Sequence, residues 1–164
     1  GFDTAFAALL SEKREVSEEV DTVVREIIAD VRTRGDTALI DLSLKFDGID
    51  LAKTGIAVTA AEVDAAVAQC SQETLDALSF AADRIRAHHQ RQLPKSERYT
   101  DETGVELGDR WTAVESAGLY VPGGSASYPS SVLMNALPAI VAGVPRIVMV
   151  VPSPRGELNP LVLA

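Results

Sequence analysis

Residues 118–151 read GLYVPGGSASYPSSVLMNALPAIVAGVPRIVMVV, and this stretch decides the fold class. Its pattern predicts, in order, a short apolar strand at 119–121, a glycine turn at 122–124, a buried helix at 130–142 and an uncharged strand at 147–151. Uncharged, β-branched strands are typical of the centre of a parallel sheet. A further helix is predicted from Pro160. Residues 119–164 therefore predict a βαβ unit followed by the start of its next helix.

The first 93 residues predict a mostly helical segment, in which no catalytic signature is found. The first three predicted helices cover residues 3–10, extend from an N-cap at Ser17 to Gly35, and cover residues 36–46. Two more follow, one from a capping box formed by Thr59 and Glu62 to about Cys70 and one from Ser71 to about Leu93. A short strand is also predicted around residues 56–58. Pro94 then ends the helical pattern, because proline cannot donate the backbone hydrogen bond that a helix needs.

Residues 98–118 predict extended segments with turns at 103–104 and 108–109, where glycine stands in each pair. The fold class is thus α/β, with a helical N-terminal region followed by a Rossmann-like βαβ domain. We place the domain boundary near residue 118.

The composition favours a globular protein that does not bind nucleic acid. Apolar residues make up 46% of the chain and aromatic residues only 5%, which leaves Ala, Val, Leu and Ile to form the core. The formal charge is −9, from 24 acidic and 15 basic residues. Because a net negative field repels phosphate backbones, binding to nucleic acid through a broad basic face is not expected.

Cysteine usage and hydropathy predict a cytoplasmic protein without a membrane anchor. Cys70 is the one cysteine, so no disulfide can form within the chain, and it is predicted to be a small core residue. The sequence contains no cluster of Cys and His residues of the kind that binds structural zinc. The first 25 residues are acidic and lack a signal-like apolar stretch. The longest apolar segment, around 147–151, is too short to span a bilayer.

Two features predict that the chain is a truncated part of a longer protein. It begins with Gly1 rather than Met, and its last residues, from Pro160, have the pattern of an apolar helix that is just starting. An isolated chain of this kind is expected to be poorly stable, because two strands of a larger sheet leave apolar faces exposed.

The best candidate site is the segment 118–124 with the serine-rich residues that follow it. Glycines at the carboxyl end of a strand let a ligand approach the backbone, and the helix start beyond offers N–H groups and a partial positive charge. Tyr120 could place its aromatic ring against a nucleotide. The alternative is that Pro122-Gly123-Gly124 is only a tight turn and Tyr120 a half-buried core residue. The GxGxxG fingerprint of dinucleotide sites is missing.

Other polar residues are weaker candidates, and a structural role is favoured for each. His88 and His89 are adjacent on a helix and point about 100° apart, so they are predicted to be solvated rather than to share a metal. Glu115 and Ser116 are predicted to lie at a strand edge, and Asn135 to have a buried partner. One or two of four serines near the helix start are predicted to cap it: Ser125, Ser127, Ser130 and Ser131.

Residues 118–164 closely resemble the corresponding segment of histidinol dehydrogenases. The matching blocks are YVPGG, YPSSVLMNALPA, VAGV, VMVVPSP and NPLVLA, in one unbroken order. Upstream, VREIIADVRTRGDTALIDLSLKFDG and IRAHHQRQ also resemble the family, more loosely. The resemblance covers essentially the whole chain and the first third to two-fifths of a family member.

The resemblance implies a zinc-dependent homodimer that oxidises L-histidinol through histidinaldehyde to L-histidine with two NAD⁺. It implies two Rossmann-like domains similar to those of aldehyde dehydrogenases, with residues 1–118 in the first and 119–164 at the start of the second. Tyr120 matches the tyrosine of the family's YxPGG motif, which binds NAD, and Pro122, Gly123 and Gly124 belong to the same motif. The zinc ligands, the Glu-His pair and the substrate residues are expected beyond Ala164, so the isolated fragment is expected to be inactive.

Two alternatives to this enzyme stay open from the sequence. One is a non-catalytic α/β module that binds a nucleotide or a partner chain with the same fold. The other is a related dehydrogenase that acts on a different amino alcohol, because the residues that select the substrate are expected downstream.

Overall fold

The computed structural model describes residues 1–122, 128–153 and 156–164, with side chains described outside residues 10–18. The chain forms two compact units, Gly1–Ile56 and Ala57–Ala164. Helices and strands occur in the order expected of an α/β chain, which confirms the predicted fold class. No helix in the described part of the chain is long and apolar enough to cross a membrane.

The first unit consists of three helices: α1 (Phe2–Arg34), α2 (Asp36–Phe46) and α3 (Leu51–Thr54). Helix α2 contacts both α1 and α3. Ala38 and Ile49 are its buried apolar residues among those described. The bounds of α2 are those that the sequence predicts.

Helix α1 corrects the prediction of two helices separated before Ser17. The backbone is helical without interruption from Phe2 to Arg34, so Ser17 lies inside the helix and does not begin one. Residues 11–17, SEKREVS, contain neither glycine nor proline, and Glu, Lys and Arg have high helix propensity. A serine that can cap a helix is therefore not sufficient to start one when nothing before it breaks the preceding turn.

An ion-pair cluster holds the junction between α1 and α2. Gly35 separates the helices with φ 59° and ψ −133°, a backbone conformation that disfavours residues with a Cβ atom. Across this break the Arg34 guanidinium donates to both carboxylate oxygens of Asp30 and to Oδ2 of Asp41, all at 2.6 Å. The hydrogen bond from Arg34 holds the pKa of the Asp30 carboxyl below its usual value. One side chain thus ties the last turn of α1 to α2.

In its described residues the second unit contains four α-helices and two small sheets. Its elements are α4 (Ala60–Gln69), α5 (Gln72–Gln90), β1 (Arg98–Thr100), β2 (Glu106–Gly108), β3 (Ser116–Tyr120), α6 (Pro129–Val141), β4 (Arg146–Val150) and α7 (Pro160–Leu163). Strands β1 and β2 pair antiparallel, and β3 and β4 pair parallel. Helix α6 contacts β3, α5 and α7, and α4 contacts α7. The predicted βαβ unit is therefore confirmed as β3–α6–β4.

The start of α4 confirms the predicted capping box. Thr59 Oγ1 accepts from the backbone N–H of Glu62 at 3.3 Å, while Glu62 Oε2 accepts from the backbone N–H of Thr59 at 2.7 Å. Ser71 likewise caps α5 by accepting from the N–H of Thr74.

The strand predicted just before the capping box, at 56–58, is wrong: these residues follow an irregular path. A strand needs a neighbour to complete its hydrogen bonds.

The β1–β2 hairpin confirms one predicted turn and corrects the other. Gly104 has φ 85° and its N–H donates to the carbonyl of Asp101, as a glycine turn requires. The turn predicted at 108–109 is wrong, because Gly108 ends β2 and Asp109 N–H still donates to Glu97 across the hairpin. A Cβ at position 108 would overlap the carbonyl oxygen of Glu97, so glycine is needed there for close approach and not for a turn.

The capping hydroxyl of Thr59 leads to a first prediction. We expect Thr59→Ala to lower the free energy of unfolding by about 1 kcal/mol, because the backbone N–H of Glu62 loses its acceptor and the Glu62 carboxylate loses the hydroxyl that donates to it. Thr59→Ser keeps the hydroxyl and is the matched control. Urea unfolding of the three proteins measures the effect, and equal stability of the Ala and Ser variants would contradict it.

The same box predicts a dependence on pH. The pKa of Glu62 lies below its usual 4.5 because the backbone N–H and hydroxyl of Thr59 donate to the carboxylate. A carboxyl with a lowered folded-state pKa stabilises the fold above its unfolded pKa, and that contribution is lost as pH falls through the folded value. Between about pH 5 and pH 3 the wild type should therefore lose stability more steeply than Glu62→Gln. Urea unfolding across this range tests it, and parallel pH profiles would refute the assignment.

Candidate functional site

The carboxyl ends of β3 and β4 lie side by side because the two strands are parallel. The register runs from Ser116 opposite Arg146 to Tyr120 opposite Val150. One further hydrogen bond extends the pairing, from the N–H of Val121 to the carbonyl of Val150 at 3.1 Å. In open α/β sheets, ligands bind just outside this edge. The described part of the segment that the sequence singles out, residues 118–122, therefore lies at the edge where ligands bind in open α/β sheets.

Successive residues of β3 face opposite sides of the strand pair, since the side-chain period of a strand is two. Ala117 and Leu119 are half-buried, and helix α6 contacts this strand. Gly118 and Tyr120 alternate with them and are exposed, as are Val148 and Val150 opposite. The pair thus has a covered side and an open side, and Tyr120 belongs to the open one.

Tyr120 is the predicted cofactor residue at the end of β3. Its exposed fraction is 62%, so its ring is accessible and it is not the half-buried core residue of the alternative interpretation. Pro122 is also exposed at the end of the strand. Gly123 and Gly124 lie outside the described residues, together with Ser125 and Ser127.

The amino end of α6 faces the same edge of the sheet, because the helix must return the chain to the beginning of β4. Its N-cap is Tyr128, which makes no side-chain capping hydrogen bond, and Pro129 occupies the first turn. The predicted serine cap is therefore wrong for Ser130 and Ser131, which lie inside the helix. Pro129 has no N–H, and the N–H of Ser131 donates to the carbonyl of Tyr128 at 3.0 Å, so among the described residues the N–H of Ser130 is the first-turn donor that is left for a ligand, together with the partial positive charge of the helix start.

The two histidine rings both form hydrogen bonds with one glutamine side chain and are not arranged as metal ligands. His89 Nδ1 and Gln92 Oε1 are 2.6 Å apart, and Gln92 Nε2 is 3.2 Å from His88 Nε2. Their rings meet edge to face, with centroids 5.3 Å apart. His88 is exposed, and His89 is partly covered. In the part of the chain that is described, no group of three or more His, Cys, Asp or Glu residues could hold a metal ion.

The remaining candidates lie away from the carboxyl edge or have local partners. Ser116 begins β3 and follows Glu115, so both are at the opposite end of the strand, with Ser116 about 13 Å from Tyr120 at the usual rise per residue and Glu115 farther away. Asn135 is exposed and donates to the carbonyl of Ser131 in its own helix, so the predicted buried partner is wrong. Cys70 is only partly buried, and its thiol donates to the carbonyl of Ala66.

Comparison with known proteins decides the family. Residues 10–164 match the family model described as "Histidinol dehydrogenase". The chain belongs to the histidinol dehydrogenase family. This confirms the resemblance that the YVPGG and YPSSVLMNALPA blocks indicate.

Individual relatives give the extent of the similarity. The chain is 68% identical over 162 residues to the histidinol dehydrogenase of Brucella abortus (strain 2308) and 65% identical over 163 residues to that of Rhizobium meliloti (strain 1021). Each match covers 99% of this chain and 38% of the relative, so the chain spans less than two-fifths of their length. The crystal structure of histidinol dehydrogenase from Elizabethkingia anophelis superposes with a TM-score of 0.81 at 34% identity, covering 88% of this chain and 33% of that one.

Sequence reasoning missed one residue of this edge. Val121 is fully buried between the exposed Tyr120 and Pro122, although the three residues are consecutive. Alternation along a strand places Val121 on the side opposite Tyr120, but the sequence alone does not indicate which of the two sides is covered.

Proposed function

We propose that the complete protein is a histidinol dehydrogenase of histidine biosynthesis, which oxidises L-histidinol through histidinaldehyde to L-histidine. The observation that carries the proposal is 68% identity with the Brucella abortus enzyme across 99% of the chain. In the proposed reaction each of two steps transfers one hydride to NAD⁺, and water supplies the second oxygen of the product carboxylate. The comparisons give no support to a non-catalytic module.

We propose that this chain contributes part of the NAD site. Tyr120 would lay its ring against the cofactor, and Pro122, Gly123 and Gly124 would let the cofactor approach the backbone. Three observations support this assignment: the exposed ring of Tyr120, its place at the carboxyl edge of two parallel strands, and the uncapped start of α6 at the same edge. Residues 119–164 would then begin the NAD-binding Rossmann-like domain, and residues 1–118 would belong to the first domain.

Zinc is proposed as the second cofactor, to bind the imidazole and amine of the substrate. The described residues of this chain do not fit such a site, since none of their His, Cys, Asp and Glu groups could hold a metal ion. We therefore assign the zinc ligands and the Glu-His base pair to the part of the relatives' length that this chain does not span. Of this chain's residues, only the cofactor segment is assigned a role in the reaction.

The complete enzyme is proposed to be a cytoplasmic homodimer with a small-molecule substrate and no nucleic-acid partner. The formal charge of −9 supports the last point, because it opposes contact with phosphate backbones. The dimer and the compartment are proposed from the family.

The first test concerns Tyr120. We expect Tyr120→Ala to raise the Kd for NAD⁺ about tenfold, since removing an aromatic ring from a base costs about 1–3 kcal/mol. Tyr120→Phe keeps the ring and should stay within about twofold of the wild type. Tyr99→Ala is the matched control, because Tyr99 is also an exposed strand tyrosine, at 57%, but lies on β1. Titration of NAD⁺ into the complete protein measures this, and equal Kd values for the Tyr120→Ala and Tyr99→Ala proteins would refute the assignment.

The second test concerns the reaction. The complete protein should release two NADH per L-histidinol consumed, and removal of zinc with a chelator should abolish turnover until Zn²⁺ is added back. Residues 1–164 alone should produce no NADH, because we assign them no catalytic base. NADH absorbance measures both. Turnover by the isolated chain, or oxidation of another amino alcohol in place of histidinol, would overturn the proposal.

A further inference from the structure

Val121 differs from its neighbours in burial. Its exposed fraction is 0%, whereas Tyr120 before it is 62% exposed and Pro122 after it is also exposed. It is the largest fully buried side chain among the described residues. The residue just before Pro122 is therefore fully enclosed, and the other described side chain with no exposure, that of Ala38, is smaller.

Three independent constraints act on the backbone of this residue. Its N–H donates to the carbonyl of Val150 at 3.1 Å, which ties it to β4 beyond the last residue of β3. Its side chain is branched at Cβ, so a buried valine has little χ1 freedom. It also precedes Pro122, and the proline ring disfavours helical φ and ψ at the preceding residue. Together these hold the strand extended up to the turn.

We propose that Val121 is a positioning residue for the cofactor, which sets the direction of the Tyr120 ring on one side and the position of Pro122 on the other. This inference rests on the proposed NAD site. Because the Tyr120 side chain is mostly exposed, its own packing does little to orient it, so its direction depends on the backbone that the strand pairing and the enclosed neighbouring side chain hold. Val121 itself touches no cofactor, since it lies on the side of the strand opposite the Tyr120 ring.

The experiment compares two isomeric side chains at position 121 in the complete protein. Val121→Ile keeps the branch at Cβ, and Val121→Leu moves it to Cγ with the same number of atoms. We expect the Kd for NAD⁺ of Val121→Ile to stay within about twofold of the wild type and that of Val121→Leu to rise roughly tenfold, because small displacements of a binding group weaken binding on this scale. Val121→Ala should behave like Val121→Leu, for the same reason.

A control separates positioning from loss of stability. Leu137 is 4% exposed in the second half of α6, and Leu137→Ala removes more buried carbon than Val121→Ala does. Thermal unfolding should show at least as large a loss of stability for Leu137→Ala, with the Kd for NAD⁺ within about twofold of the wild type. If Val121→Ala does not fold, the Ile and Leu pair decides.

The outcomes distinguish this inference from the proposed function. Equal Kd values for Val121→Ile and Val121→Leu, or an increase for Leu137→Ala as large as for Val121→Ala, would overturn the positioning role while NAD⁺ binding by the wild type stands. Absence of NAD⁺ binding by the wild-type protein would overturn the proposed site and this inference with it. A raised Kd confined to the Leu and Ala variants of Val121 would establish the role.

Discussion

The parallel pairing of β3 with β4 is the constraint on which the candidate site depends. Parallel strands must be joined by a crossover, and here helix α6 returns the chain from the end of β3 to the start of β4. Because the strands run the same way, the end of β3 and the start of α6 lie at one edge, where a backbone donor and an exposed aromatic ring come together. The bond from Val121 to Val150 continues this pairing one residue beyond the end of β3.

Elsewhere the described chain depends on short-range contacts more than on a large core. The α1–α2 junction is held by one arginine between two aspartates across Gly35, and α4 and α5 begin with side-chain caps. Few side chains are fully buried, and large apolar residues such as Phe2, Val150 and Trp111 are exposed. Local interactions of this kind specify where elements begin and end. They do not by themselves enclose a catalytic centre.

Errors in the sequence predictions share one physical origin. The sequence predicts a cap at Ser17 and a buried amide at Asn135 from residue type and the local pattern around each. The surrounding helix decides otherwise, since α1 continues through Ser17 and Asn135 bonds to its own helix. Gly108 was read as a turn, but its missing Cβ makes room for a carbonyl from the opposite strand. Each of these residue types has several uses, and only the neighbours in space select one.

The sequence by itself determined helices α2, α4 and α5 to within a few residues, the capping box of α4, the βαβ unit and the family. These follow from periodicity, from hydrogen bonds between residues a few positions apart, and from long runs of matching letters, all of which are local along the chain. Only the tertiary structure decided which side of β3 is covered, and with it that Tyr120 is exposed and Val121 enclosed. Strand alternation places consecutive side chains on opposite sides, but the side that the helix covers is set by contacts between segments far apart in the sequence.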